Sequence, residues 1–311
     1  YDVHIKMGND SVESYFAMRK IEVKNDKNGI PRIFLNNKPY FQKGVLDQGY
    51  WPDGLYTAPS DEALIYDIQT MKNLGFNMIR KHVKVETARW YYHCDRLGMI
   101  VWQDMVNGGT YNAPFMTWLP ALFPKFKLHT SDRIHPLFGR KNVHGREEFI
   151  RECKETVTAL KAFPCISTWV IFNEGWGQFD LKKLTALFRE LDDTRLIDSA
   201  SGWFDRRQGD FKSEHNYFAK QFVTPSDRAF VISEYGGYTC QVKGHTCSGK
   251  TYGYKICSSQ EEFQAAYHKL MSEEIDPLKE QGLCGAVYTQ LSDIEDEING
   301  LITYDREVCK L

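Results

Sequence analysis

Short apolar runs alternate with longer segments of helical periodicity from residue 40 to the end of the chain. The apolar runs predict eight β-strands, at 40–45, 76–80, 99–103, 166–172, 195–199, 212–217, 229–233 and 284–290. Between them, helical spacing predicts helices at 60–74, 85–97, 145–161, 180–192 and 260–281. This alternation is typical of a parallel sheet. Eight strands, with no GxGxxG motif after the first, favour a closed α/β barrel, the (β/α)₈ or TIM barrel, over an open nucleotide-binding sheet.

The N-terminal residues follow a different pattern. Polar and apolar residues alternate in 1–7 and, less strictly, in 12–23, which is typical of strands with one buried face. A turn at 26–29 comes next, and a hairpin then leads into the first barrel strand. We therefore expect 1–24 to be the end of a β-domain that is mostly missing from this chain, and 25–311 to be the barrel.

Two long segments interrupt the strand–helix alternation. Residues 105–143 follow the third strand, and residues 236–258 follow the seventh. Both segments would leave the barrel at the C-terminal ends of strands, where barrel active sites are built.

The charge of the chain is nearly balanced. Its 311 residues include 39 Lys and Arg and 41 Asp and Glu, a net charge of −2, and no run of like charges occurs. Nucleic acid is therefore not expected as a partner. No stretch of eighteen apolar residues is present, so we expect no membrane association either.

Eight cysteines are scattered along the chain without CxxC pairs, most of them within periodic apolar segments. This usage favours reduced core cysteines and a cytoplasmic protein, and secretion is the alternative. Cys240, Cys247 and Cys257 share one Gly-rich loop whose spacing would suit zinc or a disulfide. Only His245 accompanies them as a further ligand type, and we predict neither a metal nor a cofactor.

Two glutamates lie where apolar strands run into Gly-rich turns. Glu174 follows the strand in CISTWVIFNEGWGQ, and Glu234 follows the strand in FVISEYGGY. Carboxylates at such places point into the mouth of a barrel, although Glu174 could instead cap the next helix. A retaining glycosidase needs two carboxyl groups about 5 Å apart. Strands four and seven face each other across a small barrel, so Glu174 and Glu234 are predicted to form this pair.

Several motifs carry a family resemblance. The segments NEGWGQ and SEYGG, together with GVLDQGYWPDG, FNMIRKHVK, LGMIVWQDM and YTQLSDIEDEINGLITYDR, resemble glycoside hydrolase family 2, the family of β-galactosidases, β-glucuronidases and β-mannosidases. The resemblance covers nearly the whole chain. It implies that a jelly-roll domain and an immunoglobulin-like β-sandwich precede the barrel. Residues 1–24 would then end the sandwich, and the N-terminal domains of the same longer chain would be partners of the barrel.

The resemblance also implies roles for individual residues. Glu174 matches the general acid/base, Glu234 the nucleophile, and Asn173 the residue that hydrogen-bonds the sugar 2-hydroxyl. Arg80 and His82 match a positively charged pair after the second strand, where Arg80 would keep the nucleophile ionised. A surface basic patch is the alternative for this pair.

Five further positions are candidates for substrate binding: Asp104, Trp176, Trp203, His215 and Tyr217. Asp104 matches an acidic position after the third strand, and His215 and Tyr217 lie at the end of the sixth. Tyr217 would hydrogen-bond Glu234 or serve as a core tyrosine. Trp176 and Trp203 would pack against sugar faces, with ordinary loop packing as the alternative.

This sequence departs from the family pattern at two places that bear on the substrate and the metal. The β-glucuronidases carry Asn-x-Lys where this chain has Glu297 and Asn299, so a substrate carboxylate would meet Glu297 rather than an ammonium group. The magnesium-dependent galactosidases carry Glu and His where this chain has 107–109, which argues against a catalytic metal. We therefore predict a retaining exo-β-glycosidase, β-galactosidase-like, that hydrolyses oligosaccharides or other β-glycosides. The alternatives are a non-catalytic glycan-binding barrel and a β-mannosidase, β-glucuronidase or endo-acting relative.

Overall fold

The computed structural model describes residues 1–112, 114–118, 131–247 and 249–311; the rest of the predicted insertion 105–143, and residue 248 of the insertion 236–258, lie outside the described residues. The strands are β1 (Asp2–Met7), β2 (Asp10–Tyr15), β3 (Ile21–Asn25), β4 (Pro31–Leu35), β5 (Lys38–Pro39), β6 (Gln42–Asp47), β7 (Met78–Lys81), β8 (Ile100–Asp104), β9 (Ile166–Asn173), β10 (Leu196–Ser201), β11 (Phe211–Asn216), β12 (Ala229–Gly236), β13 (Tyr238–Cys240), β14 (Lys255–Cys257) and β15 (Leu283–Thr289). The helices are α1 (Asp61–Asn73), α2 (Ala88–Leu97), α3 (Val143–Leu160), α4 (Leu181–Leu191), α5 (Gln260–Leu270) and α6 (Asp276–Gln281), with π-helical turns at Pro114–Trp118 and Met271–Ile275.

Eight strands form one parallel sheet in the order β10-β9-β8-β7-β6-β15-β12-β11. Side-chain hydrogen bonds join its two end strands, from Ser213 Oγ to Asp198 Oδ2 at 2.8 Å and between Ser201 Oγ and His215 Nε2 at 3.0 Å. The sheet is therefore an eight-stranded barrel, and the predicted barrel is confirmed. Each of the eight predicted strands overlaps an observed one.

The barrel is filled by apolar side chains from all its strands, among them Trp102, which stacks on Phe211 at 5.1 Å between ring centroids. Ile21 of β3 and Ile33 of β4 belong to the same cluster. The small antiparallel sheet β3-β4-β5 therefore packs against the barrel interior, on the side away from the strand ends that carry Glu174 and Glu234. A second and larger cluster lies between the barrel and its helices.

The helices lie where helical periodicity predicts them. Ser60 caps α1 by accepting a hydrogen bond from Ala63 N, and Gly98 ends α2 in the left-handed conformation that glycine adopts easily. The predicted helix 260–281 consists of α5, a π-helical turn and α6. The connections 202–210 and 217–228 contain no helix, so this barrel lacks the outer helices after β10 and β11.

The residues before the barrel form two small antiparallel sheets, β1-β2 and β3-β4-β5. The predicted alternating segment 12–23 is divided between β2 and β3, because residues 16–20 are not in a strand. All eight cysteines are free thiols, and Cys240 and Cys257 are paired in register on β13 and β14. Among the described residues, no helix is long and apolar enough to cross a membrane.

Candidate active site

The two glutamates predicted as the catalytic pair lie at the carboxyl ends of β9 and β12. One carboxylate oxygen of each glutamate and a ring nitrogen of His215 lie within 4.8 Å of one another. Opposite strands of the barrel therefore bring Glu174 and Glu234 face to face across its mouth.

Glu174 occupies a tight turn directly after β9. Its φ of 54° is unusual for a residue with a side chain, and Gly175 follows with a φ of 71°. A Cβ atom on Gly175 would lie 2.3 Å from the Phe204 ring, so this turn requires glycine. The Glu174 backbone N–H donates to Ser201 O at 2.9 Å, which ties the turn to β10.

Glu234 receives hydrogen bonds on both carboxylate oxygens. Arg80 Nη1 donates to Oε1 at 3.0 Å, and the Tyr217 hydroxyl donates to Oε2 at 2.5 Å. His215 Nδ1 lies 3.5 Å from Oε2. A buried guanidinium and a phenol are strong donors, and they fix the position of this carboxylate.

Arg80 is completely buried and links three side chains of the site. Besides Glu234, it donates to both Asp104 oxygens, at 3.0 and 2.9 Å, and to Asn173 Oδ1 at 2.7 Å. The Asn173 oxygen is therefore occupied, and its amide NH₂ is the group left to donate. Burial alone would raise the pKa of Asp104, but Arg80 and His82, whose Nδ1 lies 2.9 Å from Asp104 Oδ2, hold that pKa below its usual value.

Glu174 has a different environment from Glu234. Its Oε1 lies 2.9 Å from His215 Nδ1. Burial raises the pKa of Glu174 to about 7, against the opposing influence of His82 and Arg80. Burial also lowers the pKa of His215 to about 3, although the Glu234 charge opposes this shift. At neutral pH, His215 is therefore a neutral ring and a large fraction of Glu174 carries a proton.

Tyr217 is held in place by the insertion after β12. Its ring stacks on Tyr254 at 3.8 Å between centroids, with the planes 8° apart, and its hydroxyl lies 3.0 Å from Thr289 Oγ1. The insertion therefore supplies a flat support for the phenol that contacts Glu234.

The two predicted tryptophans have different positions. Trp203 is 8% exposed and packs edge-on against the His215 ring at 5.6 Å. Trp176 packs edge-on against Tyr111 at 5.9 Å, and its ring nitrogen donates to Gly109 O at 3.3 Å. Trp203 thus lies behind His215, and Trp176 belongs to the loops around the mouth.

A third carboxylate lies in the site. Glu297 Oε2 accepts hydrogen bonds from Gln48 Nε2 at 2.9 Å and from Gln290 Nε2 at 3.1 Å. Burial raises the pKa of Glu297, while the two amides oppose the shift; the charges of His82 and Glu234 also act on it. The residues that follow β6 and β15 therefore hold a carboxyl group near enough to Glu234 for the two charges to interact.

Glu174, His215 and Glu234 are spaced closely enough for a metal ion. However, Arg80 and Tyr217 already donate to both oxygens of Glu234. The buried positive charge of Arg80 would repel a metal cation bound at the same place. The arrangement therefore suits a pair of reacting carboxyl groups better than a metal ion.

The structure brings eight of the ten predicted site residues into one connected group: Asn173, Glu174, Glu234, Arg80, His82, Asp104, His215 and Tyr217. Trp203 lies against this group, and Trp176 has no described contact with either glutamate. Sequence reasoning did not find Gln48, Gln290 or Tyr254. Gln48 and Gln290 directly follow barrel strands, and this position could have marked them as candidates. Nothing in the sequence around Tyr254 indicates its contact with Tyr217.

The sequence matches a known family. Residues 22–309 match the model of glycosyl hydrolases family 2, TIM barrel domain. A β-galactosidase of Priestia megaterium is 24% identical over 258 residues, which cover 76% of this chain and 21% of that protein. A β-galactosidase of Oenococcus oeni is 32% identical over 143 residues, or 42% of this chain and 13% of that protein. The chain thus spans about a fifth or less of the length of these relatives.

Solved structures share the fold. A family 2 β-galacturonidase of Eisenbergiella tayi, bound to galacturonate, matches 96% of this chain and 54% of its own, with a TM-score of 0.68 at 16% identity. A β-glucuronidase of Parabacteroides merdae matches 99% of this chain and 40% of its own, with a TM-score of 0.65 at 17% identity. Because the family model covers nearly the whole chain, the protein belongs to glycoside hydrolase family 2.

Proposed function

We propose that this protein is a retaining exo-β-glycosidase that works by double displacement, with Glu234 as the nucleophile and Glu174 as the general acid/base. The observation that carries the proposal is the approach of the two carboxylates within 4.8 Å. Retaining enzymes hold their carboxyl groups about 5–5.5 Å apart, whereas inverting enzymes need about 6.5–9.5 Å to admit a water molecule.

The two environments fit the two steps. In the first step Glu234 attacks the anomeric carbon while Glu174 gives its proton to the leaving oxygen. In the second step Glu174 takes a proton from water, which attacks the glycosyl-enzyme and releases Glu234. A pKa of about 7 suits Glu174 to both proton transfers, because such a group exchanges protons readily near neutral pH.

The remaining polar groups would support these steps. Arg80 and Tyr217 keep one geometry for the attacking carboxylate. The amide NH₂ of Asn173 would bind the 2-hydroxyl of the sugar, an interaction that strengthens as the oxocarbenium ion forms. The described parts of the insertions after β8 and β12 lie around the mouth of the barrel, which favours cleavage at the end of a sugar chain.

Glu297 supports a neutral sugar as the substrate. Its carboxyl group is held near the catalytic pair by Gln48 and Gln290, where it would accept hydrogen bonds from sugar hydroxyls and repel a uronate. The matched relatives named β-galactosidases favour a β-galactoside. We therefore propose β-galactosidase-like activity rather than hydrolysis of uronides.

The residues before the barrel support a larger architecture. The exposed apolar side chains of the β1–β2 hairpin, such as Ile5 and Met7, suit the surface of a packed β-domain. We propose that 1–24 ends an immunoglobulin-like sandwich, that 25–311 is the catalytic barrel, and that N-terminal domains of the same longer chain are its partners.

A panel of nitrophenyl β-glycosides tests the proposal with the natural full-length protein. Galactoside, glucoside, mannoside, glucuronide and galacturonide are compared, with Glu234→Gln as the inactive control. The galactoside should be hydrolysed fastest, and Glu297→Gln should narrow the gap between galactoside and galacturonide about tenfold. Hydrolysis of the glucuronide alone would overturn the assigned sugar class, and equal activity of wild type and Glu234→Gln would overturn the proposed mechanism.

A further inference from the structure

A continuous chain of buried hydrogen bonds runs from the barrel interior to Glu174. Its members, in order, are Asp198, Ser213, Ser233, Ser201, His215 and Glu174. The successive distances are 2.8, 2.6, 2.8, 3.0 and 2.9 Å. The first five members are each at most 2% exposed, so water does not interrupt this Asp198–Glu174 chain.

Each hydroxyl in the chain has one proton, so the direction of one hydrogen bond sets the direction of the next. An ionised Asp198 can only accept, and Ser213 Oγ donates to its Oδ2. Ser213 then accepts from Ser233 at 2.6 Å, which is much nearer than the other acceptor of the Ser233 hydroxyl, Glu214 O at 3.4 Å, and Ser233 accepts from Ser201. Ser201 has used its proton, so it accepts one from His215 Nε2–H.

The imidazole ring transmits this direction to the acid/base. Because His215 is neutral, a proton on Nε2 leaves Nδ1 as an acceptor. The group nearest to Nδ1 is Glu174 Oε1 at 2.9 Å, and Glu234 Oε2 lies farther away at 3.5 Å. Only the protonated form of Glu174 can donate across this distance.

We propose that Asp198 is a positioning residue that acts through the three serines to hold His215 as the Nε2–H tautomer and thereby keeps the proton on Glu174. The proposal rests on the role of Glu174 as general acid. Asp198 lies beyond hydrogen-bond reach of both glutamates and would touch no substrate. The anionic form of Asp198 strengthens the hydrogen bonds of the chain. Loss of any of these hydrogen bonds allows His215 to adopt the Nδ1–H tautomer, which donates to the Glu174 carboxylate and stabilises it.

Burial raises the pKa of Asp198 to about 7, although the charge of Arg80 opposes this shift. Among the described residues, only one of the two Asp198 carboxylate oxygens has a hydrogen-bond partner. Both ends of the chain therefore titrate in the same pH range. The other titratable or charged groups that act on Asp198, His215 or Glu174 are Arg80, His82, Asp104, Asp205, Tyr217, Glu234 and Tyr254.

The pH dependence of kcat/KM provides the first test, measured on an alkyl β-glycoside that needs the acid. In Ser201→Ala and Asp198→Asn, the basic limb should move down by about one pH unit, because Glu174 loses its proton more easily. Ser199→Ala is the matched control, since Ser199 is a buried serine of β10 that donates to Gln208 O outside the chain. Its basic limb should stay in place.

Two results would overturn the proposal: a basic limb that is unmoved in Ser201→Ala or Asp198→Asn, or one that moves equally in Ser199→Ala. A second measurement needs no variant that could misfold. The ¹⁵N shifts of His215, assigned by comparison with His215→Gln, should show the Nε2–H tautomer near pH 7, where a large fraction of Glu174 still carries its proton, and the Nδ1–H tautomer would contradict the proposal. This measurement does not depend on catalysis, whereas full activity of Glu174→Gln on the alkyl glycoside would refute the proposed function instead.

Discussion

The carboxyl ends of β9 and β12 carry the same residue type in opposite surroundings. The Glu234 side chain is 7% exposed and receives hydrogen bonds from Arg80 and Tyr217. The Glu174 side chain is 23% exposed and has the neutral His215 ring as its hydrogen-bond partner. One carboxylate is thus held by two strong donors, whereas the other lies beside a neutral ring and has a pKa raised by burial.

This difference supports the two roles that we propose for the two glutamates. The roles follow from the donors around each group rather than from the glutamates themselves. The comparison can be tested by removing each glutamate, by weakening one set of donors, and by titration.

Removal of Glu234 should have the largest effect. Glu234→Ala deletes the proposed nucleophile, so activity on every glycoside should fall by about 10⁴-fold or more. Added azide should occupy the vacated space and restore turnover, and NMR of the glycosyl azide should show inverted anomeric configuration. A product of retained configuration would place the nucleophile elsewhere.

Removal of Glu174 should depend on the leaving group. Glu174→Ala should lose about 10²–10⁴-fold on an alkyl glycoside, which needs protonation, but should still form the glycosyl-enzyme from a dinitrophenyl glycoside. Because the second step is also slowed, the intermediate should accumulate, and azide should give a product of retained configuration. Equal losses on both substrates would argue against an acid role.

Weakening the support of Glu234 should have a smaller effect. Tyr217→Phe removes one hydrogen bond to the carboxylate, worth about 10–100-fold in kcat/KM. Tyr235→Phe is the matched control, because the Tyr235 hydroxyl contacts Met271 Sδ and neither glutamate. If both variants lose activity equally, the Tyr217 hydroxyl has no particular role.

The pH profile of the wild type should report the proton on Glu174. The raised pKa means that the acid form is present below about pH 7 and is lost above it. On an alkyl glycoside, kcat/KM should therefore fall as the pH rises through about 7, and Glu174→Gln should lack this limb. A profile that stays flat to pH 9 would show that the proton is held by another group.

The sequence was sufficient to predict the barrel because its strands are short, nearly continuous apolar runs between helical segments. No helix was predicted in the connections 202–210 and 217–228, and they contain none. Glu174 and Glu234 were recognisable because each ends an apolar strand before glycine.

Other parts of the site depend on contacts that no local pattern encodes. Tyr254 reaches Tyr217 from a separate loop, and Gln48 meets Glu297 across 249 positions of the chain. Asp198 lies within a predicted strand and looked like an ordinary strand residue, because periodicity does not reveal a hydrogen-bond chain that crosses three strands.

The most direct test of the central claim is to trap the glycosyl-enzyme and identify the modified residue. A dinitrophenyl 2-deoxy-2-fluoro-β-galactoside should react once per protein molecule, because the fluorine slows both steps and the good leaving group restores the rate of the first step only. Mass spectrometry of proteolytic peptides should then find the sugar on Glu234, within FVISEYGGY. A sugar on Glu174, or turnover of a hydrolysable galactoside to the inverted product without any covalent adduct, would contradict the account.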